Sequence, residues 1–186
     1  MTLIELLLVL AVIVTVGGLA IPFMRNALDD IRTAMAARYV SARVMGVRIE
    51  AVKRSMCIGL RFEPAGSDYR YASFADGNGN GVRSSDISSG IDPQLGAFES
   101  LRDRVGGVQF GLLAGVPDVD GNGNTGSDGV RIGTARILTV SPNGTATAGT
   151  LYVHGRRRQY AVRILGITGR VRVLQYREGS RQWVSR

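Results

Sequence analysis

The chain has few of the residues on which enzymes and disulfide-linked domains depend. Its 186 residues include one cysteine, one histidine and one tryptophan, and only 6% are aromatic. A single thiol, Cys57, excludes an internal disulfide and a cysteine-based metal site. The only histidine, His154, has no nucleophile beside it, and no glycine-rich segment carries the lysine of a phosphate loop. We therefore expect a protein that is not an enzyme and has no organic cofactor.

Lysine is almost absent, because Lys53 is the only one beside 22 arginines. Residues 1–55 carry a net charge of +3, residues 56–130 carry −5, and residues 131–186 carry +10. This distribution polarises the chain along its length. The basic C-terminal third suits phosphates, anionic lipid or an acidic partner subunit, and a solvated arginine face that favours solubility is the alternative.

Charge is also absent from residues 6–24, which are LLLVLAVIVTVGGLAIPFM. A helix of about 20 such residues is long enough to cross a bilayer. A signal peptide is the alternative, but it would have basic residues before the run and a cleavage site after it. Here Glu5 precedes the run, and an amphipathic pattern follows Pro22.

A second apolar pattern extends the predicted helix to about residue 55. Apolar residues recur there at spacings of three, four or seven, which predicts a stripe facing a globular domain. They are Leu28, Ile31, Met35, Ala42, Met45, Ile49 and Val52. Gly17, Gly18 and Pro22 lower helix stability, so we expect a kink around residues 17–23.

After residue 55, short β-branched and aromatic runs alternate with Gly, Asn, Asp and Pro. The fold class predicted is α+β, with the long helix packed on an antiparallel sheet or small β-sandwich. The regions are 1–24 (membrane or filament-core half), 25–55 (amphipathic half) and 56–186 (β-rich head). The predicted strands are 57–63, 69–75, 107–113, 136–141, 150–154, 159–165 and 170–176. On the last strand, Arg170 and Arg172 share a face, and we expect Arg163 beside them.

The segment Thr2-Leu3-Ile4-Glu5-Leu6-Leu7 and the apolar run after it resemble the start of a mature type IV pilin or type II secretion pseudopilin. The resemblance implies that a prepilin peptidase processes the chain and methylates the amine of Met1, although the family usually has Phe there. It also implies that Glu5 pairs with the N-terminal ammonium of a neighbouring subunit. A glutamate at the lipid headgroup boundary is the alternative.

The C-terminal segments Ser141-Pro142-Asn143-Gly144-Thr145, Tyr160-Ala161-Val162-Arg163 and Gly169-Arg170-Val171-Arg172-Val173 resemble the GspH/FimT branch of minor pseudopilins and minor pilins. This resemblance implies a minor or tip subunit of a type II secretion pseudopilus or a type IV pilus. Its partners would be other pilin subunits. The chain would lie in the bacterial inner membrane with its head towards the periplasm, and later in the filament, at the cell surface if that is a pilus.

In FimT-like minor pilins, a Gly-Arg-x-Arg segment is linked to DNA binding during DNA uptake, and Gly169-Arg170-Val171-Arg172 is similar to it. Arginine pairs well with phosphate, so sequence-independent DNA binding is the alternative function. The candidate residues are Arg156, Arg157, Arg158, Arg163, Arg170, Arg172, Arg177 and Arg181. Pairing of these arginines with acids of adjacent subunits competes with this interpretation. A third class is a single-pass membrane protein with no filament role.

Two Asp/Asn/Gly loops fit the opening of a calcium loop, in which oxygen ligands alternate and a glycine allows a sharp turn. The candidate ligands are Asp76, Asn78, Asn80 and Asp86 in the first loop, and Asp118, Asp120, Asn122 and Asp128 in the second. The twelfth positions hold Ile87 and Gly129 instead of an acid. Calcium binding and simple Asn-Gly and Asp-Gly turns both remain open.

Overall fold

The computed structural model describes residues 2–121 and 126–185, and only the backbone of positions 19, 20 and 22. Met1 and Asn122 therefore lie outside the described residues, as does the side chain of Pro22.

The dominant element is α1, Leu3–Arg54, a helix of 52 residues. At 1.5 Å per residue it is about 78 Å long, and it ends within a residue of the predicted end at about residue 55. Its helical assignment continues through Gly17 and Gly18, so the described backbone has no melted stretch there. A bend of the axis at these glycines and at Pro22 stays a prediction.

The end of α1 is marked by a left-handed residue. Ser55 has φ 53°, and its N–H bonds to carbonyls of the last turn. The next amide, of Met56, donates to the carbonyl of Ala51 at 3.2 Å. These bonds satisfy carbonyls that a helix end leaves open and turn the chain into the first strand.

The head contains two antiparallel sheets, in the orders β3-β2-β1-β6 and β10-β9-β8-β7-β4, with β5 also paired to β7. The strands are β1 (Ile58–Ala65), β2 (Asp68–Ala75), β3 (Glu99–Ser100), β4 (Gln109–Phe110), β5 (Val130–Arg131), β6 (Ile137–Val140), β7 (Gly149–His154), β8 (Gln159–Leu165), β9 (Arg170–Arg177) and β10 (Gln182–Ser185). Two short helices, α2 (Ser84–Ser88) and α3 (Leu101–Arg104), lie in the connections. The predicted α+β class is confirmed.

The main core lies between α1 and the two sheets. The second half of α1 contacts β1 and β6 of the first sheet and β7, β8 and β9 of the second. Its buried residues are Thr33, Ala36, Ala37, Val40, Val44, Val47 and Ala51. On the opposite face of the second sheet, Tyr152, Ala161 and Tyr176 form a smaller core with Leu112 and Val116 of the preceding loop.

The prediction of one strand over 107–113 is wrong. Only β4 forms there, and β5 then replaces it along the same edge of β7. The exchange requires glycine, because a Cβ at Gly129 would lie 2.1 Å from the backbone nitrogen of Gly111. Two glycines therefore divide this edge between two strands of two residues each.

The sequence prediction also missed β10. Its only aromatic residue, Trp183, packs against Tyr152 and Tyr176 with ring centroids 5.8 Å and 5.4 Å apart, and its indole N–H donates to the carbonyl of Pro117 at 3.1 Å. These contacts extend the smaller core to the end of the described chain.

Candidate assembly surface and arginine clusters

Glu5 belongs to the cap at the start of α1. Its carboxylate accepts the backbone N–H of Thr2 at 2.7 Å, and its own N–H donates to the Thr2 hydroxyl at 3.4 Å. This reciprocal pair is a capping box, which satisfies two amide donors at the start of a helix. Within one chain, the Glu5 carboxylate therefore has a local structural role. Its pairing with a neighbouring subunit stays a prediction.

In the first half of α1, none of the described apolar side chains is buried. From Leu3 to Gly18 every described side chain is exposed, including Leu7, Ile13 and Val16. Within the described residues, α1 is the one helix long and apolar enough to cross a membrane, and the apolar window that meets this test is unburied.

The predicted apolar stripe of the second half faces away from the head, so the prediction that it packs on the sheets is wrong. Met35 is 55% exposed and Ile49 66% exposed, whereas Ala36 and Ala37 are fully buried. We call the uncovered set the outer stripe: Leu28, Ile31, Met35, Ala42, Met45, Ile49 and Val52. Small residues face the sheets because they let the helix backbone approach closely, and the larger apolar residues remain outside.

The turn between β7 and β8 is fixed to α1 by two carboxylates that the sequence prediction missed. Asp29 accepts the backbone N–H groups of Arg156 and Arg157 at 3.0 and 3.3 Å. Gly155 packs closely here, since a Cβ would lie 2.3 Å from the Thr33 hydroxyl. Only the adjacent acids on α1 and three consecutive arginines in a turn could have indicated this contact in the sequence.

The second carboxylate, Asp30, forms an ion pair with Arg158 at 2.9 Å. The hydrogen bond from the guanidinium lowers the pKa of Asp30 and raises that of Arg158. Arg158 is therefore committed to the helix, whereas the side chains of Arg156 and Arg157 remain exposed.

The candidate DNA-binding arginines do not form one surface. Arg156, Arg157 and Arg158 lie beside residues 29–33 of α1, and Arg156, Arg157 and Arg181 line one shallow cleft. At the other end of β8, the turn before Arg170 lies beside Arg48 of α1, because a Cβ at Gly169 would lie 3.8 Å from the Arg48 guanidinium. The seven residues of β8 separate the two ends by about 20 Å.

At the far end, Arg163 lies opposite Arg172 in the strand register, as the sequence predicted. Arg163 forms an ion pair with Asp120 at 2.7 Å, and Arg131 forms one with Asp118 at 3.0 Å. Acids of the central segment thus pair with arginines of the same chain. Arg170 and Arg172 are exposed on the outer face of β9.

In the first Asp/Asn/Gly loop, the most buried candidate ligand binds backbone amides. Asp76, 5% exposed, accepts the N–H groups of Gly79 and Gly81 at 2.7 Å each. Asp86 accepts the side-chain amides of Asn78 and Asn80, which lower its pKa. A cation at this loop would compete with these donors.

In the second loop, the carboxylates diverge to three different arginines. Asp118 pairs with Arg131 and Asp120 with Arg163, while Asp128 pairs with Arg136 at 3.0 Å. Burial raises the pKa of Asp128, but its hydrogen bonds lower it further, so the net shift is downward. Residues 2–121 and 126–185 contain no group of three or more acidic, His or Cys side chains that could hold a metal ion. Calcium binding stays a prediction.

Comparison with known proteins identifies one similar protein. This chain is 39% identical to the pilin-like protein PilA1 of Thermus thermophilus over 83 residues, which are 43% of its own length. The matched segment is 49% of that protein, so the chain spans about half the length of this curated relative. No family model matches the chain. No solved structure matches it.

Proposed function

We propose that this chain is a type IV pilin-like subunit that assembles through α1 into a type II secretion pseudopilus or a type IV pilus, as a minor or tip subunit. Before assembly α1 anchors it in the inner membrane, with the head in the periplasm. The similarity to the pilin-like protein PilA1 over 83 residues supports the first part of this proposal. A prepilin peptidase would process the chain and methylate Met1.

The observation that carries the proposal is the long exposed apolar surface of α1, which Arg38 interrupts between Met35 and Ala42. The described side chains of its first half are exposed on all sides, and the outer stripe prolongs that surface along the head to Val52. A bilayer about 30 Å thick covers only about 20 residues of helix. The outer stripe lies beyond that span, and exposed apolar surface of this size marks an interaction site. Helices of neighbouring subunits would cover both parts at once.

Glu5 gives this assembly its register. A carboxylate among apolar helices is costly by several kcal/mol unless a positive group meets it. The N-terminal ammonium of a neighbouring subunit would be that group. Since Glu5 also caps its own helix, the two roles need separate variants.

The test compares Glu5→Gln with Glu5→Leu in filaments purified from cells. Gln at this position preserves a capping box but carries no charge, whereas Leu removes both. We expect both variants to insert into the membrane and both to be lost from filaments at least about tenfold, as a penalty above 1.4 kcal/mol implies. Normal incorporation of Glu5→Gln would show that capping is the role of Glu5 and would contradict the register.

DNA binding is the second candidate function, and the placement of Arg163 opposite Arg172 favours it. Like charges directly opposite on one strand pair destabilise a sheet unless an anion lies between them. Asp120 already supplies an anion to Arg163, so phosphate would pair with the exposed guanidinium of Arg172. A mobility shift of duplex DNA at low salt that Arg170→Gln with Arg172→Gln reduces would support this candidate. The absence of a shift near ~50 mM salt, where phosphate contacts are strong, would exclude it.

A further inference from the structure

We infer that the end of the head next to the membrane is a docking surface for anionic phospholipid, formed by Arg156, Arg157, Arg177 and Arg181, which we call the proximal rim. The inference rests on the membrane anchorage in the proposed function. It assigns these arginines a partner that filament assembly does not require.

The position of the rim follows from the contacts of the β7–β8 turn. Arg25 is the first charged residue after the apolar run. Asp29, which holds the backbone of Arg156 and Arg157, follows four residues later, or about 6 Å along the helix axis. The turn therefore lies close to the plane where α1 would leave the hydrocarbon.

The β9–β10 turn lies beside it. Arg156 and Arg157 share a cleft of about 550 Å³ with Glu178 and Arg181. Arg157 also lines the adjoining cleft with Arg177. Two turns of the second sheet thus present their arginines at the same end of the head.

These arginines are available for a partner. All four side chains are exposed, and within residues 2–121 and 126–185 none of the ion pairs involves them. The acids nearby are largely used by the fold, because Asp29 accepts backbone amides and Asp30 binds Arg158. Glu178 is the remaining acid at this end. The rim therefore carries net positive charge.

The range of the membrane field selects these arginines over the far ones. A charged surface acts over about 8–10 Å at physiological salt, and each arginine close to anionic lipid adds to the attraction. The rim is within that distance of the bilayer. Arg170 and Arg172 lie near the level of Arg48, which is 23 residues or about 35 Å beyond Arg25. They are outside the field.

The same distance disfavours DNA at the rim. While α1 is in the bilayer, the gap below the turn is about 6 Å along the helix axis. A DNA duplex is wider than its own grooves, which are about 6 and 12 Å wide, so the whole duplex does not fit into this gap. Lipid headgroups are already at that position.

The experiment reconstitutes the full chain in phosphatidylcholine bilayers with trace spin-labelled phosphatidylglycerol or phosphatidylcholine. The immobilised lipid fraction gives the relative association of the two headgroups. We expect a preference of about threefold or more for phosphatidylglycerol, weakened at 1 M salt, where screening shortens to about 3 Å. Arg156→Gln with Arg157→Gln should reduce the preference at least about twofold. Arg170→Gln with Arg172→Gln, which removes the same charge, should leave it unchanged.

Equal association of the two lipids in the unaltered chain, or equal loss in both double variants, would overturn the inference. The double variant Arg156→Gln with Arg157→Gln would also overturn it by keeping the lipid preference while losing a mobility shift of duplex DNA. That result would assign the rim to nucleic acid. Extraction by alkaline carbonate distinguishes failure of the membrane anchorage from failure of the lipid inference. A chain that is extracted refutes membrane anchorage and this inference together, and an inserted chain with no lipid preference refutes the inference alone.

Discussion

The second half of α1 has two apolar faces, and they differ in residue size. The face buried against the sheets is built from Ala, Val and Thr, whereas five of the seven residues of the outer stripe are Leu, Ile or Met. Both faces repeat at spacings of three and four, so periodicity alone does not indicate which of them is buried in the core. The difference teaches that close approach to two sheets selects small side chains, while large flexible ones stay exposed on the opposite face.

The largest effect on folding is expected from overfilling the buried face. Ala37 is fully buried, so Ala37→Leu should lower the free energy of unfolding of the head by about 3 kcal/mol, as extra atoms in a packed core do. Ala42→Leu on the outer stripe adds the same atoms at an exposed position and should change it by less than about 0.5 kcal/mol. Denaturant unfolding of the full chain in detergent measures both. Similar losses would mean that the two faces are equally packed.

The next effect tests the attachment of the β7–β8 turn at the start of the buried face. In Gly155→Ala the new Cβ would lie 2.3 Å from the Thr33 hydroxyl and 2.9 Å from the Asp29 carboxylate. The turn must shift, and we expect a loss of about 1–2 kcal/mol in unfolding free energy. Gly179→Ala, which meets nothing within 4 Å, is the matched control. An unchanged melting midpoint in Gly155→Ala would show that the turn is not held against α1.

A smaller, pH-dependent effect concerns Asp30. Its folded pKa lies below the ordinary value of 3.8 because Arg158 donates to it. The pair therefore stabilises the head above the unfolded pKa, and that stabilisation is lost as pH falls through the folded pKa. Asp30→Asn should remove this part of the acid sensitivity below about pH 4 and change the free energy of unfolding at pH 7 by less than about 1 kcal/mol. Arg158→Gln and the double variant complete a double-mutant cycle with Asp30→Asn. If the losses in free energy of unfolding simply add, the pair contributes nothing to stability.

The smallest effect on folding is expected from the outer stripe, where the readout is assembly. Ile49→Gln should leave the melting curve of the head within about 0.5 kcal/mol of the original, because this side chain is 66% exposed. Its incorporation into filaments should fall severalfold, since an apolar contact with a neighbouring helix is lost. Arg32→Gln, an exposed helix position that does not belong to the three-and-four repeat of the stripe, serves as the control. Normal incorporation of Ile49→Gln would leave the outer stripe without a partner.

Much of the fold could be predicted from local patterns. The bounds of α1 follow from the uncharged run and the amphipathic repeat after it, and β7, β8 and β9 follow from short runs rich in β-branched and aromatic residues. The edge shared by β4 and β5 could not be predicted, because it depends on the approach of Gly111 to Gly129 across a long loop. The sequence prediction placed the outer stripe in the core, which was wrong, because hydropathy ranks Leu and Met above Ala.

The candidate sites were harder to predict. The acidic residues of the two loops have the spacing of cation ligands, but Asp76 binds backbone amides and Asp118, Asp120 and Asp128 bind arginines. The arginines appear as one group in the sequence, yet β8 separates them into two sets at opposite ends of the head. Which set lies near the first half of α1 depends on the contact of Asp29 with a turn 127 residues away, and no local pattern encodes it.

The lengths of the strands have a consequence for crowding. Within the described residues, the strands at the borders of both sheets have two to four residues, whereas the interior strands have six to eight. Long free borders recruit other chains by strand addition, and short ones do not. Beyond the end of β10, Arg170–Val173 of β9 pair only with β8, and the charges of Arg170 and Arg172 disfavour strand addition there when other proteins crowd the head.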